Sequence, residues 1–542
     1  MSKLYTGDFF MYKRISIAFF TLIIIFGILI TNLGIIFSGV GIYKTSQGKN
    51  TRSIEIAESR GMIYDRNMKK IVNNTTYNVT VALPTSNAAN ILKNNLADEQ
   101  FEAFYENLKN NKVTVLNSTK RIYENHVKMV SCVERYSDNQ SCVHLIGHLN
   151  ENGEGVMGLE KAYENYLKLQ KGTLKAYWSV DAIGNILTGE GINFERDNYL
   201  TSAGIQLTVD LDIQRIAEES LTETGINKGA VVILNSYTNE ILAMASAPEF
   251  DPDNVSLSMS NTDSPFINRC ITPYSVGSVF KPIVAACALE NNIDLTHNCT
   301  GSITINGTVF RCSNSKSHGF VDMNSAMEQS CNTYFIALGQ KIGKEKLISL
   351  CNDSGFGKGI ELADNFNTQS GILPTTDSVN SPQALANLSF GQGNLLVSPL
   401  QMAVAYSCFA NGGYYRPPTL MKSIVDEKGQ IVQKAEISPS YRILNKSTVE
   451  KLDEILENVV SSGNGKMAYS QTTVNHGKTA TAQSGWYEGE REITHTWFCG
   501  YFSCNDTTYT VVVFKDDGYS GAVDCAPAFK FISDGIGELK EK

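Results

Sequence analysis

Three short clusters in this 542-residue chain have residue types and spacings that can do chemistry. The first is Ser278-Val279-Phe280-Lys281. A three-residue offset on a helix puts hydroxyl and amine on one face, within reach of each other. The Ser can then act as nucleophile and the Lys as its base, which is the chemistry of covalent acyl transfer. Pro282 follows, and Pro is tolerated only in the first helical turn, so Ser278 is expected at a helix N-terminus, where the dipole favours developing negative charge. An isolated match means little: Ser313-Asn314-Ser315-Lys316 has the same spacing on what reads as a solvated loop. The second cluster is Ser330-Cys331-Asn332, 52 residues after Ser278, and the third is Lys478-Thr479-Ala480, 200 residues after it on an expected strand.

The elements that must position these residues follow from composition and period. With 42% apolar and 19% charged residues and a net charge of −9, the chain reads as globular and mildly acidic, which excludes a disordered chain and a nucleic-acid binder. Its length leaves room for two to four domains. After Thr208, LTVDLDIQRIAEESL predicts a helix started by an Asp, followed by a β-hairpin in GAVVILNSYTNEILAMAS. The hairpin strands, Val231 to Leu234 and Ile241 to Met244, are nearly continuous apolar runs, as expected where both faces of a sheet are covered. Helical signals dominate from Ser278 to about Leu350 and resume after Ser398-Pro399, a cap followed by a first-turn Pro. KTATAQ, HTWFCGYF and TYTVVVFK then read as strands before a closing helix. Strands from both ends with helices between them predict an α+β domain whose sheet joins its N- and C-terminal parts.

Upstream, residues 45 to about 200 read as a scaffold. Strand-like runs such as YNVTVAL mix with polar helices such as Leu96 to Leu108. Arg60 to Asn67 reads as strand and turn, and LIGHLNENGEGVMGLEKAYENYL as a loop entering a helix that buries Leu159, Tyr163 and Tyr166. From Ile15 to Tyr43 no residue is charged, which predicts a membrane-spanning helix rather than a cleaved signal. Lys3, Lys13 and Arg14 before it match Lys44, Lys49 and Arg52 after it, so charge alone leaves orientation undecided.

The ordered set Ser-x-x-Lys, Ser-x-Asn and Lys-Thr-small resembles the active site of the penicillin-recognising serine acyltransferases. Arg60 to Asn67, LIGHLNENGEGVMGLE, GAVVILNSYTNEILAMASAPEFDP, SFGQGNLLVSPLQMA and HTWFCGYF extend the resemblance to class B penicillin-binding proteins over nearly the whole chain after the anchor. The resemblance implies a fold of N-terminal transmembrane helix, elongated pedestal and transpeptidase domain, the last an antiparallel sheet covered by helices. Its expected divisions are a cytoplasmic tail at 1–14, an anchor at 15–40, a pedestal at 41–200 and a transpeptidase domain at 201–542. It also implies a single-pass protein of the bacterial cell membrane with its catalytic domain extracytoplasmic.

The implied activity is D,D-transpeptidation of peptidoglycan stem peptides, with acylation by β-lactams. Ser278 would attack the penultimate D-Ala carbonyl and Lys281 would take its proton. Ser330 and Lys478 would pass a proton to the leaving D-Ala, and Asn332 would hold the donor peptide. Thr479 and Thr481 would bind the terminal carboxylate, and the backbone N–H groups of Ser278 and Thr481 would form the oxyanion hole. No cofactor is required for this chemistry. The implied partners are a SEDS-type glycosyltransferase and other cell-wall machinery. A β-lactam hydrolase or sensor and a non-catalytic scaffold share parts of the pattern. The family usually has Gly where this chain has Ala480, and a methyl beside the acyl site would slow turnover by overpacking and alter β-lactam preference.

Cys299, Cys312, His318 and Cys331 lie within 33 residues, the first three between the first and second clusters and Cys331 inside the second. These types suit a structural zinc ion, although the 12-residue gap between Cys299 and Cys312 is not a finger spacing. A Cys312 to Cys331 disulfide acting as a redox switch resembles the sporulation-specific members, and buried free thiols are the third reading. Cys499, Cys504 and Cys525 fall on or beside expected strands and read as core. The other histidines read as structural, with His476 beside the third cluster.

Overall fold

The structure, a computed structural model, describes residues 16–31, 50–117, 121–187 and 189–539. The N-terminal apolar run is helical over 16–31. The remainder of the expected 15–40 anchor and the whole 1–14 tail lie outside the described residues. Among the described residues no helix is long and apolar enough to cross a membrane.

Two compact units share the chain in alternating segments. The first takes the chain up to Glu58, Thr76–Cys132 and Gly172–Tyr199. It contains a three-stranded sheet, in the order Thr51–Ser59, Gly172–Ser179 and Asn193–Asp197. Strict alternation buries Leu174, Ala176 and Trp178 on one face of the middle strand, in a core with Val81 and Leu83. Helices Ser86–Lys93 and Asp98–Lys109 bear out the helical reading of this region.

The second unit takes Ser59–Thr75, Val133–Lys171 and Leu200–Lys542. Two segments expected in the pedestal, 59–75 and 133–171, therefore cluster with the C-terminal part of the chain. Strand Met62–Tyr64 pairs in parallel with Gly204–Leu207, which draws in the first segment. A buried ion network secures both: Glu160, with no exposed side-chain surface, meets Arg60 at 2.9 Å and Arg135 at 2.5 Å, and Arg60 also reaches Glu164 at 2.5 Å. Charges removed from water need such mutual pairing, and losing one partner of a buried pair typically costs about 3–5 kcal/mol. The helix expected over this segment is two short ones, Gly158–Ala162 and Glu164–Leu169, which bury Leu159 and Leu167. Tyr163 and Tyr166 are only half-buried.

The catalytic-type clusters sit in the largest part of this unit. Helix α1, Leu211–Glu223, starts where the Asp210 side chain accepts from the Asp212 N–H. Strands β1, Gly229–Asn235, and β2, Ile241–Ala247, form the expected hairpin. Helices α2, Lys281–Glu290, α3, Met323–Glu328, and α4, Asn332–Ile342, follow. Helix α5, Pro399–Ala410, has a Ser398–Gln401 capping box, and α6 spans Lys446–Ser461. The chain returns as β3, Asn475–Glu488, β4, Arg491–Cys504, and β5, Thr507–Asp516, and closes on α7, Ala526–Glu538. The antiparallel sheet has the order β2-β1-β5-β4-β3, so its two ends of sequence do meet. Both faces of the hairpin are covered: Val232, Leu234 and Met244 enter one core, while Val231, Ile233 and Leu242 pack with α1 and α7 in the other.

The helical texture expected from Ser278 to Leu350 is interrupted. His297–Cys299 pairs with Gly319–Val321, and Ser302–Ile305 pairs with Thr308–Arg311, as two small antiparallel ladders. Thr, Ile and Val alternating around the turn residues Asn306 and Gly307 explain the second hairpin, since both turn positions have positive φ.

Candidate active site

The Ser278 turn is a single 3₁₀ turn, Gly277–Phe280, feeding α2 with Pro282 in its first turn. Gly277 has φ +59° and donates its N–H to the Gly391 carbonyl at 2.9 Å. A Cβ on Gly391, itself at φ +78°, would stand 2.0 Å from the Gly277 carbonyl oxygen, so only Gly permits that approach. The turn is thereby pressed from the side of residue 391, within the SFGQGN segment, and Ser278 stays half-buried, open to solvent.

Ser330 lies between α3 and α4 with φ +55°, a left-handed conformation that is costly for a non-Gly residue and concentrates at functional sites. The strained turn aims its hydroxyl at a point where all three clusters meet. Ser330 Oγ donates to Ser278 Oγ at 3.1 Å. It accepts from Lys281 Nζ at 3.0 Å and from Lys478 Nζ at 3.1 Å. Lys281 also donates to the Ser330 carbonyl at 2.8 Å and to Asn332 Oδ1 at 2.7 Å, and Lys478 to the Thr479 carbonyl at 3.0 Å. Asn332 Nδ2 donates to the Arg311 carbonyl at 2.9 Å, which fixes the amide with its oxygen toward Lys281. The sequence places Lys281 directly on Ser278; in the structure the link runs through the Ser330 hydroxyl.

Both lysine side chains are fully buried. Burial lowers Lys281 to about 7, against a small opposing pull from Cys331 and Cys312. Lys478 is driven well below the ordinary lysine range by burial and then by the neighbouring Lys281 charge. Desolvation thus makes neutral amine available near neutral pH, the form that can accept a proton.

On β3, Thr479 is buried and Thr481 exposed, and Thr481 Oγ1 accepts from the Gly521 N–H at 3.4 Å. Ala480 is 3% exposed and belongs to the main core, with Trp497 opposite it on β4. The methyl expected to crowd the acyl site is accommodated in that core. His476 stacks on Tyr501 at 4.8 Å and lies 3.4 Å from Asp453, so it is held by the sheet and α6. Asn464, a cleft residue that no sequence motif marked, accepts a hydrogen bond from Thr479 Oγ1 at 3.2 Å. Its only sequence signal is the Gly463-Asn464-Gly465 turn. The Ser313–Ser315 repeat of the first spacing forms an exposed 3₁₀ turn, as expected of a loop.

Cys299, Cys312, His318 and Cys331 converge, their four ligand atoms all within 4.8 Å of one another. Cys299 and Cys312 sulfurs are 3.7 Å apart, Cys312 and Cys331 sulfurs 3.9 Å, and Cys299 Sγ lies 3.3 Å from His318 Nδ1. The three cysteines form no disulfide. Zinc–sulfur bonds of about 2.3 Å in a tetrahedron require sulfur separations near 3.8 Å, so the Cys299–Cys312 and Cys312–Cys331 separations suit such an ion, and the 4.8 Å spread of the whole set would have to contract around it. Hydrogen bonding from Cys331 shifts Cys312 toward the thiolate that a metal takes, while the same contact pushes the Cys331 thiol up. Cys499 and Cys525 are buried in the core and Cys504 partly so.

Comparison with known proteins identifies the family. The model of the penicillin binding protein transpeptidase domain matches residues 229–534, and the chain belongs to that family. The class B resemblance holds at full length. Stage V sporulation protein D of Bacillus subtilis is 28% identical over 98% of this chain and 86% of its own. Peptidoglycan D,D-transpeptidase MrdA of Haemophilus influenzae is 24% identical over 96% of this chain and 91% of its own. In fold, the chain resembles penicillin binding protein 3 of Mycobacterium tuberculosis in complex with aztreonam, at TM-score 0.64 and 21% identity over 90% and 96% of the two chains. It also resembles a chain of a peptidoglycan synthase complex, at TM-score 0.68 and 23% identity over 97% and 99%.

Proposed function

We propose that the chain is a serine D,D-transpeptidase that crosslinks peptidoglycan stem peptides and is acylated by β-lactams. One observation carries the reading: two desolvated lysine amines converge on a single hydroxyl that is itself bonded to Ser278 Oγ. Ser278 Oγ attacks the carbonyl carbon of the penultimate D-Ala, and its proton passes through Ser330 to neutral Lys281. The tetrahedral oxyanion is held by the N–H groups of Ser278 and Thr481, a donor in this role contributing about 2.7–4 kcal/mol. On collapse, the C–N bond breaks and the leaving D-Ala nitrogen takes the proton that Lys281 received, passed on through Ser330 and Lys478. An amine of a second stem then attacks the ester carbonyl, the C–O bond to Ser278 breaks, and the proton lost by the amine passes through the same relay to restore the Ser278 hydroxyl. Asn332 positions the donor peptide, and Thr479 and Thr481 take its terminal carboxylate. A β-lactam enters the same path through its strained amide, and its leaving nitrogen stays tethered.

Relatives named peptidoglycan D,D-transpeptidases support the reaction class. A structural neighbour within a peptidoglycan synthase complex supports pairing with a SEDS-type glycosyltransferase. The apolar run supports an anchor over 15–40, and the class B resemblance supports a pedestal and an extracytoplasmic transpeptidase domain beyond it. Cys299, Cys312, His318 and Cys331 would hold a structural zinc ion. Bound there, zinc supplies crosslinking, tying the two small hairpins to the residue between Ser330 and Asn332. Labelling with a fluorescent penicillin tests the proposal. Stable labelling lost in Ser278→Ala supports a transpeptidase, rapid turnover points to a hydrolase, and no labelling to a scaffold.

A further inference from the structure

Beyond the residues the three motifs supply, the loop between α6 and β3 reaches the cleft. Its backbone is clamped to the Ser330 side of the site: the Asn464 N–H donates to the Glu328 carbonyl at 3.1 Å, two residues before Ser330. A Cβ on Gly463 would stand 3.0 Å from Glu328 Cα, so the loop lies flat against the end of α3. Its side chain faces the other way, to β3, where it meets the buried Thr479 hydroxyl at 3.2 Å. Asn464 is solvent-exposed, so its amide is open to water beside the third cluster rather than in the core. One residue therefore joins the Ser330 turn to the Lys478 strand.

The shared hydrogen bond has a chemical consequence. With the amide oxygen accepting from Thr479, neither Nδ2 hydrogen has a hydrogen-bond partner among the described residues. With the amide reversed, Nδ2 donates to Thr479 and frees the Thr hydroxyl proton instead. In either orientation the pair presents a donor and keeps its own internal bond. Donors without a neighbouring acceptor are what a carboxylate needs, and hydrogen bonds to a charged group are the strong ones. We propose that Asn464 is a substrate-binding residue that, with Thr479, recognises the terminal carboxylate of the donor peptide and the matching carboxylate of a β-lactam.

The inference rests on the transpeptidase reading, and the test separates the two. Acylation rates of the full chain are measured with a penicillin as free acid and as its methyl ester, for native protein, Asn464→Ala and Asn464→Asp. The proposal expects the acid-to-ester rate ratio to fall about ten-fold in Asn464→Ala, from loss of one charge-assisted bond. Asn464→Asp keeps the shape and adds repulsion, so its ratio falls further. Equal losses for acid and ester, or an unchanged ratio, would overturn it by making Asn464 a structural tie only. Should Asn464→Ala fail to fold, the near-isosteric Asp variant decides alone by the same ratio. Native protein that labels with neither compound refutes the transpeptidase reading itself.

Discussion

Replacing Ser330 by Ala probes the relay at its centre. The substitution removes three hydrogen bonds, to Lys281 Nζ, Lys478 Nζ and Ser278 Oγ. It orphans no buried amine, because Lys281 keeps the Ser330 carbonyl and Asn332 Oδ1, and Lys478 keeps the Thr479 carbonyl. The stability cost is therefore that of ordinary net hydrogen bonds, about 1 kcal/mol, without a desolvation penalty. The rate cost is that of a lost proton-transfer group, about 10²–10⁴-fold. At 1.36 kcal/mol per decade this is about 2.7–5.4 kcal/mol of barrier, well above the stability term. The assay is the second-order rate of covalent labelling by a fluorescent penicillin, with thermal unfolding followed on the same samples. A Ser330→Ala protein that labels within about three-fold of native would refute the relay, since such a loss is far below that of a proton-transfer group.

Three further outcomes follow from the same geometry. Acylation should rise with pH through about 7, because Lys281 there loses the proton that blocks it as a base; a rate that falls between pH 6 and 8 would contradict this. Purified protein should carry about one zinc per chain, and chelation should lower its thermal midpoint, whereas metal analysis finding little or none would remove the ion from the account. Ala480→Gly removes a methyl from the core and loosens β3, so denaturant unfolding should show a loss of about 1–2 kcal/mol, and unchanged stability would mean the methyl is not packed as described.

The parts of the molecule legible in the sequence are those where one physical signal dominates. The continuous apolar runs of β1 and β2 marked strands covered on both faces, and Ser398-Pro399 marked the start of α5. Pro282 placed Ser278 at a helix start because its ring admits few alternatives. What escaped depends on distant partners. Nothing local in Arg60 or Glu160 says that 100 residues of separation close into one buried ion network, so the segments around them read as pedestal. The hairpins at 297–321 have too few residues per strand for a period to emerge. The four metal-type residues were visible as a list, but their convergence is a product of those hairpins. The Lys281 route through Ser330 and the Asn464 contact both arise from loops, where side-chain direction is set by backbone angles such as the positive φ of Ser330.

Mass spectrometry of the protein after incubation with benzylpenicillin tests the central claim most directly. The account predicts one covalent penicilloyl group per chain, mapped by proteolysis to the peptide carrying Ser278 and absent from Ser278→Ala. An adduct on another residue, or one that persists in Ser278→Ala, would contradict it.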